Sequence, residues 1–172
     1  MNTFKYTIAP SFSSYQFAEL SNFSLYSALK LRSDVFVVEQ NCVYPDLDDK
    51  DIHSNTLHLL VETTPGPLLN GQTESVNKVI AYARCLAPGI SYNGPSIGRV
   101  AVASSERGHG LAKLVMLEAI NICKQHWPDR TIQIGAQVYL QTFYTQLGFT
   151  PFSEPYDEDG IMHIDMELQT QP

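Results

Sequence analysis

The sequence is poor in charge: 11 basic and 18 acidic residues make 17% of 172 positions, against about 25% in an average soluble domain. What charge there is runs negative. A formal net charge of -7 excludes the general nucleic-acid binder, which carries a basic patch, and suits a cationic partner such as an amine. Cysteine is scarce too. Cys42, Cys85 and Cys123 stand far apart, and an odd count without C-x-x-C gives neither a disulfide framework nor a zinc pattern. No apolar run approaches the roughly 18 to 20 residues of a membrane helix, and the first residues lack the basic start and apolar stretch of a signal peptide. These absences predict a cytoplasmic protein that neither enters a membrane nor binds nucleic acid. Disorder is excluded by composition, since 44% of residues are hydrophobic and 10% aromatic, ample for one packed core across residues 1–172.

The chain shows no repeat. A helix is expected from Ser21 or Asn22, with Leu25, Leu29, Arg32, Val35 and Phe36 at helical spacing. Glu39 to Asn55 reads as a long irregular acidic loop. Strands follow at Leu57–Glu62 and Val79–Leu86, joined by a breaker-rich hairpin loop from Thr63 through Gly71. After a turn-rich stretch from Pro88 to Pro95 comes a β-branched run, Ile97–Val102. Leu111, Leu114, Val115, Ala119, Ile122 and Cys123 then keep a 3.6-residue period to about His126, with Pro128 as a stop. The remainder reads as a strand at Thr131–Ala136, a short helix from Tyr139 to Leu147 ended by Gly148, a strand at Phe149–Ser153, a turn at Tyr156–Gly160 and a strand at Ile161–Leu168. The expected fold is α/β (α+β): a mixed, mostly antiparallel sheet with helices on both faces.

The most informative stretch is Val100-Ala101-Val102, followed by Arg107-Gly108-His109-Gly110-Leu111-Ala112. A strand runs into a glycine-containing loop that opens a helix, where N–H groups lack intrahelical partners and the helix dipole favours an anion. Small residues there allow a phosphate to approach the backbone. Lys113 occupies the third glycine position of a dinucleotide fingerprint, and no Walker A pattern exists. Arg107-Gly108-His109-Gly110-Leu111-Ala112 instead resembles the pyrophosphate-binding loop, [QR]-x-x-G-x-[GA], of the GNAT superfamily of acyl-CoA N-acyltransferases. Gln137 to Phe149, with Phe143-Tyr144 and Gly148-Phe149, is similar to that family's F-Y-x-x-x-G-F signature. Leu31 to Cys42, Asp46-Leu47-Asp48, Ala81 to Arg84 and Tyr156 to Ile164 resemble the ElaA-like subfamily.

The resemblance implies a sheet splayed near Val102 and Gln137, and acetyl-CoA as co-substrate. The cofactor would be held by Val100, Ala101, Val102, Arg107, Gly108, His109, Gly110, Leu111, Ala112, Gln137 and Phe143. It also places a tyrosine hydroxyl beside the departing thiolate, and Tyr144 is the matching residue. Acyl transfer to an amine needs a proton acceptor for the ammonium and donors to polarise the thioester carbonyl. Glu39 is a candidate base, or a solvated carboxylate at the helix end. His58, His163 and Asp159 are further titratable candidates, and Gln40 and Arg84 complete the expected acceptor-binding set.

The acidic loop from Asp46 to Asp51 fails as an EF-hand, because its sixth and twelfth positions are Asp51 and Leu57. No metal is assigned. That loop is either a solvated surface or a rim attracting a cationic amine. Two functional classes stay open. The first is an N-acetyltransferase acting on a primary amine of a small molecule or peptide by direct attack in a ternary complex. The second is a non-catalytic acyl-CoA-binding or interaction module. Gln137 and Leu140 stand where the family often has Asn and Ala, which keeps the second open. The sequence does not set the oligomeric state, and a homodimer is allowed.

Overall fold

A computed structural model describes residues 11–63 and 77–170; most of the expected hairpin loop after Thr63 lies outside them. Strand β1 (Ser11–Tyr15) precedes helix α1 (Asn22–Arg32), which continues as a π-helical segment, Ser33–Glu39. Then come β2 (Thr56–Glu62), β3 (Val79–Leu86), β4 (Ser96–Val102), α2 (Leu111–His126), β5 (Ile132–Gln137), α3 (Gln141–Thr145), β6 (Thr150–Pro151), β7 (Tyr156–Glu158) and β8 (Ile161–Leu168). The sheet order is β1-β2-β3-β4-β5-β8-β6, with β7 also on β8. Only β4 and β5 pair in parallel. No helix among the described residues is long and apolar enough to cross a membrane.

Helix α1 starts where the serine cap places it: Ser21 Oγ accepts from the Ser24 N–H at 3.0 Å. Its buried face carries Ala28 and Leu31 against Leu60, Tyr82 and Ala101 of the sheet. On the other face α2 buries Leu111, Val115, Met116, Ala119 and Cys123 against β2 to β5. Helices therefore cover both faces, as the alternation of periods 2 and 3.6 requires.

Several elements differ from expectation. Strand β1 is an edge strand of serines and half-exposed aromatics with no strong apolar period. The last short helix is a 3-10 turn, Val138–Leu140, leading into five α residues. The strand expected at Phe149–Ser153 shrinks to Thr150–Pro151, because Pro151 has no N–H to continue a ladder. Phe149, fully buried, fixes the chain beside it. The acidic loop is not simply irregular, since Lys50–Ile52 forms a 3-10 turn that buries Asp51.

Candidate active site

Strands β4 and β5 touch at a single register, Ser96 opposite Gln133. Beyond it β5 pairs with β8 along its whole length, whereas β4 stays with β3. A wedge opens between two parallel strands, and their facing edges have no strand partner. A cavity of about 560 Å3 fills it, walled by Arg99 and Val100 of β4, Gly135 and Gln137 of β5, and Tyr144 of α3. Alternation sorts the walls. Ile132, Ile134 and Ala136, with Ile164 and Met166, belong to the core under α2; Gln133, Gly135 and Gln137, with His163 and Asp165 opposite them, point to the other face. The cavity thus reaches from Tyr144 on the α2 side to a polar chamber on the other face.

The glycine loop leads from the end of β4 into α2. Gly108 and Gly110 have φ of 80° and 81°, a region L side chains rarely adopt, and a Cβ on either would meet only open space. No side chain caps α2, so its first-turn N–H groups are left for an anion or water. Such a cradle has the donors and the room that a pyrophosphate would need. Leu111 is buried and Ala112 packs on the core, so these two can offer a ligand only their backbone.

The other residues expected at the cofactor fall differently. Ala101 and Val102 are core residues on opposite faces of the sheet, and Phe143 packs its ring edge-on against Tyr144 at 5.1 Å. The Arg107 guanidinium does not project free for phosphate. Its Nε donates to the Val102 carbonyl at 2.9 Å, and its two terminal nitrogens grip both Glu39 oxygens at 2.5 and 3.0 Å. Arg107 in turn holds the Glu39 carboxyl below its ordinary proton affinity. Next to it, Gln40 and Gln137 exchange amide hydrogen bonds at 3.1 and 3.4 Å, and the Tyr139 hydroxyl donates to Gln137 at 2.6 Å. The π-helical segment is thereby tied to both sides of the wedge.

The acidic loop is not simply a solvated surface, and Asp48 and Lys50 line the cavity. Asp46, Asp48 and Asp51 fold inward onto three arginines. Arg32 donates to Asp46 at 3.0 Å and to Asp51 at 2.8 Å. Arg84 binds Asp48 through both terminal nitrogens at 2.6 and 2.9 Å, and reaches Asp51 at 2.9 Å. Arg99 Nε lies 2.7 Å from Asp46, close but off the hydrogen-bonding angle. Burial pushes Asp48 and Asp51 up, yet the arginine donors outweigh it and both end below the usual carboxylate range. Arg84 lines the cavity, but its terminal nitrogens are engaged in this network.

His58 lies away from the cavity. It is 2% exposed, is absent from the cavity wall, and has both ring nitrogens occupied by Tyr82 and the Asp51 carbonyl. Asp159 does line the cavity, in a turn at φ 54°. The carboxylate that caps this turn is that of Asp157, which accepts from the Gly160 N–H. His163 lines the cavity as well. No cluster of three or more potential metal ligands occurs among the described residues.

Five other residues line the wall, and neither their type nor their spacing marks them as doing so: Cys42, Tyr44, Tyr92, Arg99 and Tyr156. Tyr92 and Tyr156 both donate to Asp165 Oδ1, at 2.6 and 2.9 Å. They do so across Gly135, where a Cβ would sit 3.2 and 3.4 Å from the two hydroxyl oxygens. The fourth-strand bulge at Arg99, with φ 55°, is equally invisible from residue type.

This geometry has relatives. Residues 73–170 match the model of the acetyltransferase (GNAT) domain family. Protein ElaA of Escherichia coli (strain K12) is 40% identical over 149 residues, covering 87% of this chain and 90% of that protein. The crystal structure of Escherichia coli ElaA superposes with a TM-score of 0.79 at 36% identity, covering 93% of this chain and 99% of that one. An acyl-CoA N-acyltransferase from Pseudomonas aeruginosa gives 0.80 at 34% identity, with the same coverage. The wedge between two parallel strands, the glycine loop after β4 and these likenesses agree: the chain belongs to the GNAT acetyltransferase family.

Proposed function

We propose that this chain transfers an acetyl group from acetyl-CoA to a primary amine of a small molecule or peptide, by direct attack in a ternary complex. The observation that carries this is the wedge itself, a polar cavity beside Tyr144 between two parallel strands, with the glycine loop at Gly108–Gly110 following the β4 side of it. A pyrophosphate at the cradle leaves the thiol end of an extended cofactor free to enter the wedge. There, backbone N–H groups on the unpaired edge of β4 around Val100 are available to polarise the thioester carbonyl. The acceptor would enter past Glu158 and Asp159, carboxylates that favour a cation.

Tyr144 supports catalysis over mere binding. Burial, and to a lesser degree Tyr139, pushes its hydroxyl up to about 12, so it is protonated at neutral pH. Its hydroxyl makes no hydrogen bond among the described residues. A phenol of this kind is a weaker acid than a thiol of about 8.5, so it passes its proton to sulfur only while collecting another from the attacking nitrogen.

Two measurements test the proposal. Calorimetry with coenzyme A should show binding. Thiol release from acetyl-CoA across a panel of primary amines should show turnover with at least one. Binding without any turnover would leave the acyl-CoA-binding module as the function.

A further inference from the structure

An ammonium is not a nucleophile, so something on the acceptor side of the wedge must take its proton. Four titratable residues compete. Glu39 is gripped by Arg107 through both oxygens. His58 is a satisfied neutral ring: a carbonyl only accepts, so Nε2–H donates to Asp51 O and Nδ1 accepts from the Tyr82 hydroxyl. Burial holds it in that neutral form. Asp159 sits exposed on a turn, and no hydrogen bond among the described residues aims its carboxylate.

His163 is built differently. It lines the cavity on the face opposite α2, with 14% of its side chain exposed. Nδ1 lies 2.8 Å from the Ile161 carbonyl oxygen. That oxygen has no proton to give, so the hydrogen is on Nδ1 and the neutral ring carries its lone pair on Nε2. Nε2 has no hydrogen-bond partner among the described residues. The Tyr156 ring stacks on the imidazole at 6.1 Å and 27°, and Gln137 stands opposite in the ladder. The Glu158 carboxylate lies 3.7 Å from Nδ1. Asp159 borders the same chamber, and Asp165 follows on the same face, held by Tyr92 and Tyr156. One nitrogen is anchored and the other is bare.

We propose that His163 is the general base, its Nε2 taking a proton from the acceptor's ammonium; this rests on the acyl-transfer function proposed above. The ammonium R–NH3+ gives one proton to Nε2, leaving R–NH2 and imidazolium. The nitrogen lone pair forms the C–N bond to the thioester carbon, and the C–S bond breaks with its electron pair on sulfur. Tyr144 protonates that sulfur from the opposite side of the wedge and regains a proton from the new amide nitrogen. The imidazolium returns its proton to solvent, so each turnover releases one proton.

The test uses His163→Asn, whose amide keeps a donor toward the Ile161 carbonyl but has nothing at Nε2, with His163→Gln as a second variant. With an amine that the unaltered chain acetylates, kcat/KM at pH 7 should fall about 10²- to 10⁴-fold, while calorimetric affinity for coenzyme A stays unchanged. The deficit should shrink toward pH 10, because an alkylamine with a pKa of about 10.4 then arrives increasingly neutral. Nitrogen-15 spectra of the unaltered chain, recorded with no acceptor, should show the ring protonated at Nδ1. Activity of both variants at pH 7 equal to that of the unaltered chain, a deficit unchanged between pH 7 and 10, or a ring protonated at Nε2 would each overturn the assignment. An unaltered chain that binds coenzyme A but acetylates no amine refutes acyl transfer itself, and the base falls with it.

Discussion

Replacing Asp51 by asparagine removes one charge from the network under the acceptor chamber while keeping nearly the same volume. In the native protein Asp51 Oδ1 accepts from Arg32 at 2.8 Å and from Arg84 at 2.9 Å. These guanidiniums are 1% and 3% exposed, so water cannot take over the lost interaction. Arg32 keeps Asp46 and Arg84 keeps Asp48, but the cluster gains a net buried positive charge. Breaking a buried pair from one side costs about 3–5 kcal/mol. For a chain of this length, each kcal/mol lowers Tm by about 2–4 °C. The expected drop is therefore about 6–20 °C. The control is Asp34→Asn, which removes the exposed pair with Lys30 and should cost no more than about 1 kcal/mol. Thermal melts at pH 7.5 followed by circular dichroism measure both. If the two variants melt within a degree of each other, the buried network does not hold the loop as argued.

Three further outcomes follow from the same geometry. Tyr144→Phe keeps the ring packed against Phe143 and Phe149 but removes the proton. Its kcat should fall about 10²- to 10⁴-fold with coenzyme A affinity unchanged, and full activity by steady-state assay would remove Tyr144 from the mechanism. Gly110→Trp puts an L side chain at φ 81° and bulk over the cradle. Calorimetry should then show coenzyme A binding abolished or at least tenfold weaker, on the order of 1.4 kcal/mol. Stability should fall on the acid side in two stages. His58 has a lowered pKa in the fold, so the unfolded chain takes up a proton first, and stability declines as pH drops below about 6.5. Asp48 and Asp51 also have lowered values. Their contribution is complete above about 3.9 and is lost as pH falls through their folded values. A Tm independent of pH between 8 and 5 would contradict the first stage.

What residue order shows is local, and so was what could be read from it. The 3.6 period of Leu111 to Cys123 is α2, and the apolar runs of β2 and β3 are strands buried on both faces. The glycine loop was visible because positive φ and an uncapped helix start are written in neighbouring residues. The ion network was not visible, since Arg32, Arg84 and Arg99 lie 14 to 53 positions from the aspartates they meet. One sign of it existed: Arg32 falls on the apolar stripe of α1, where a charge must find a buried partner. Glu39 shows the same limit from the other side. A carboxylate after an apolar turn looks available, and only the fold brings Arg107 to it from 68 positions away.

The π-helical segment Ser33–Glu39 fixes how many residues the chain can hold here. Its wider turns place Glu39 at Arg107 and Gln40 at Gln137 while Arg32, only seven positions before Glu39, stays aligned with Asp46 and Asp51. Removing one residue would rotate everything downstream by about 100° relative to α1. The salt bridge and the paired amides would then be lost together, although no contacting side chain had changed. Between Arg32 and Gln40 the protein is constrained by its residue count, so substitutions can be absorbed there where insertions and deletions cannot.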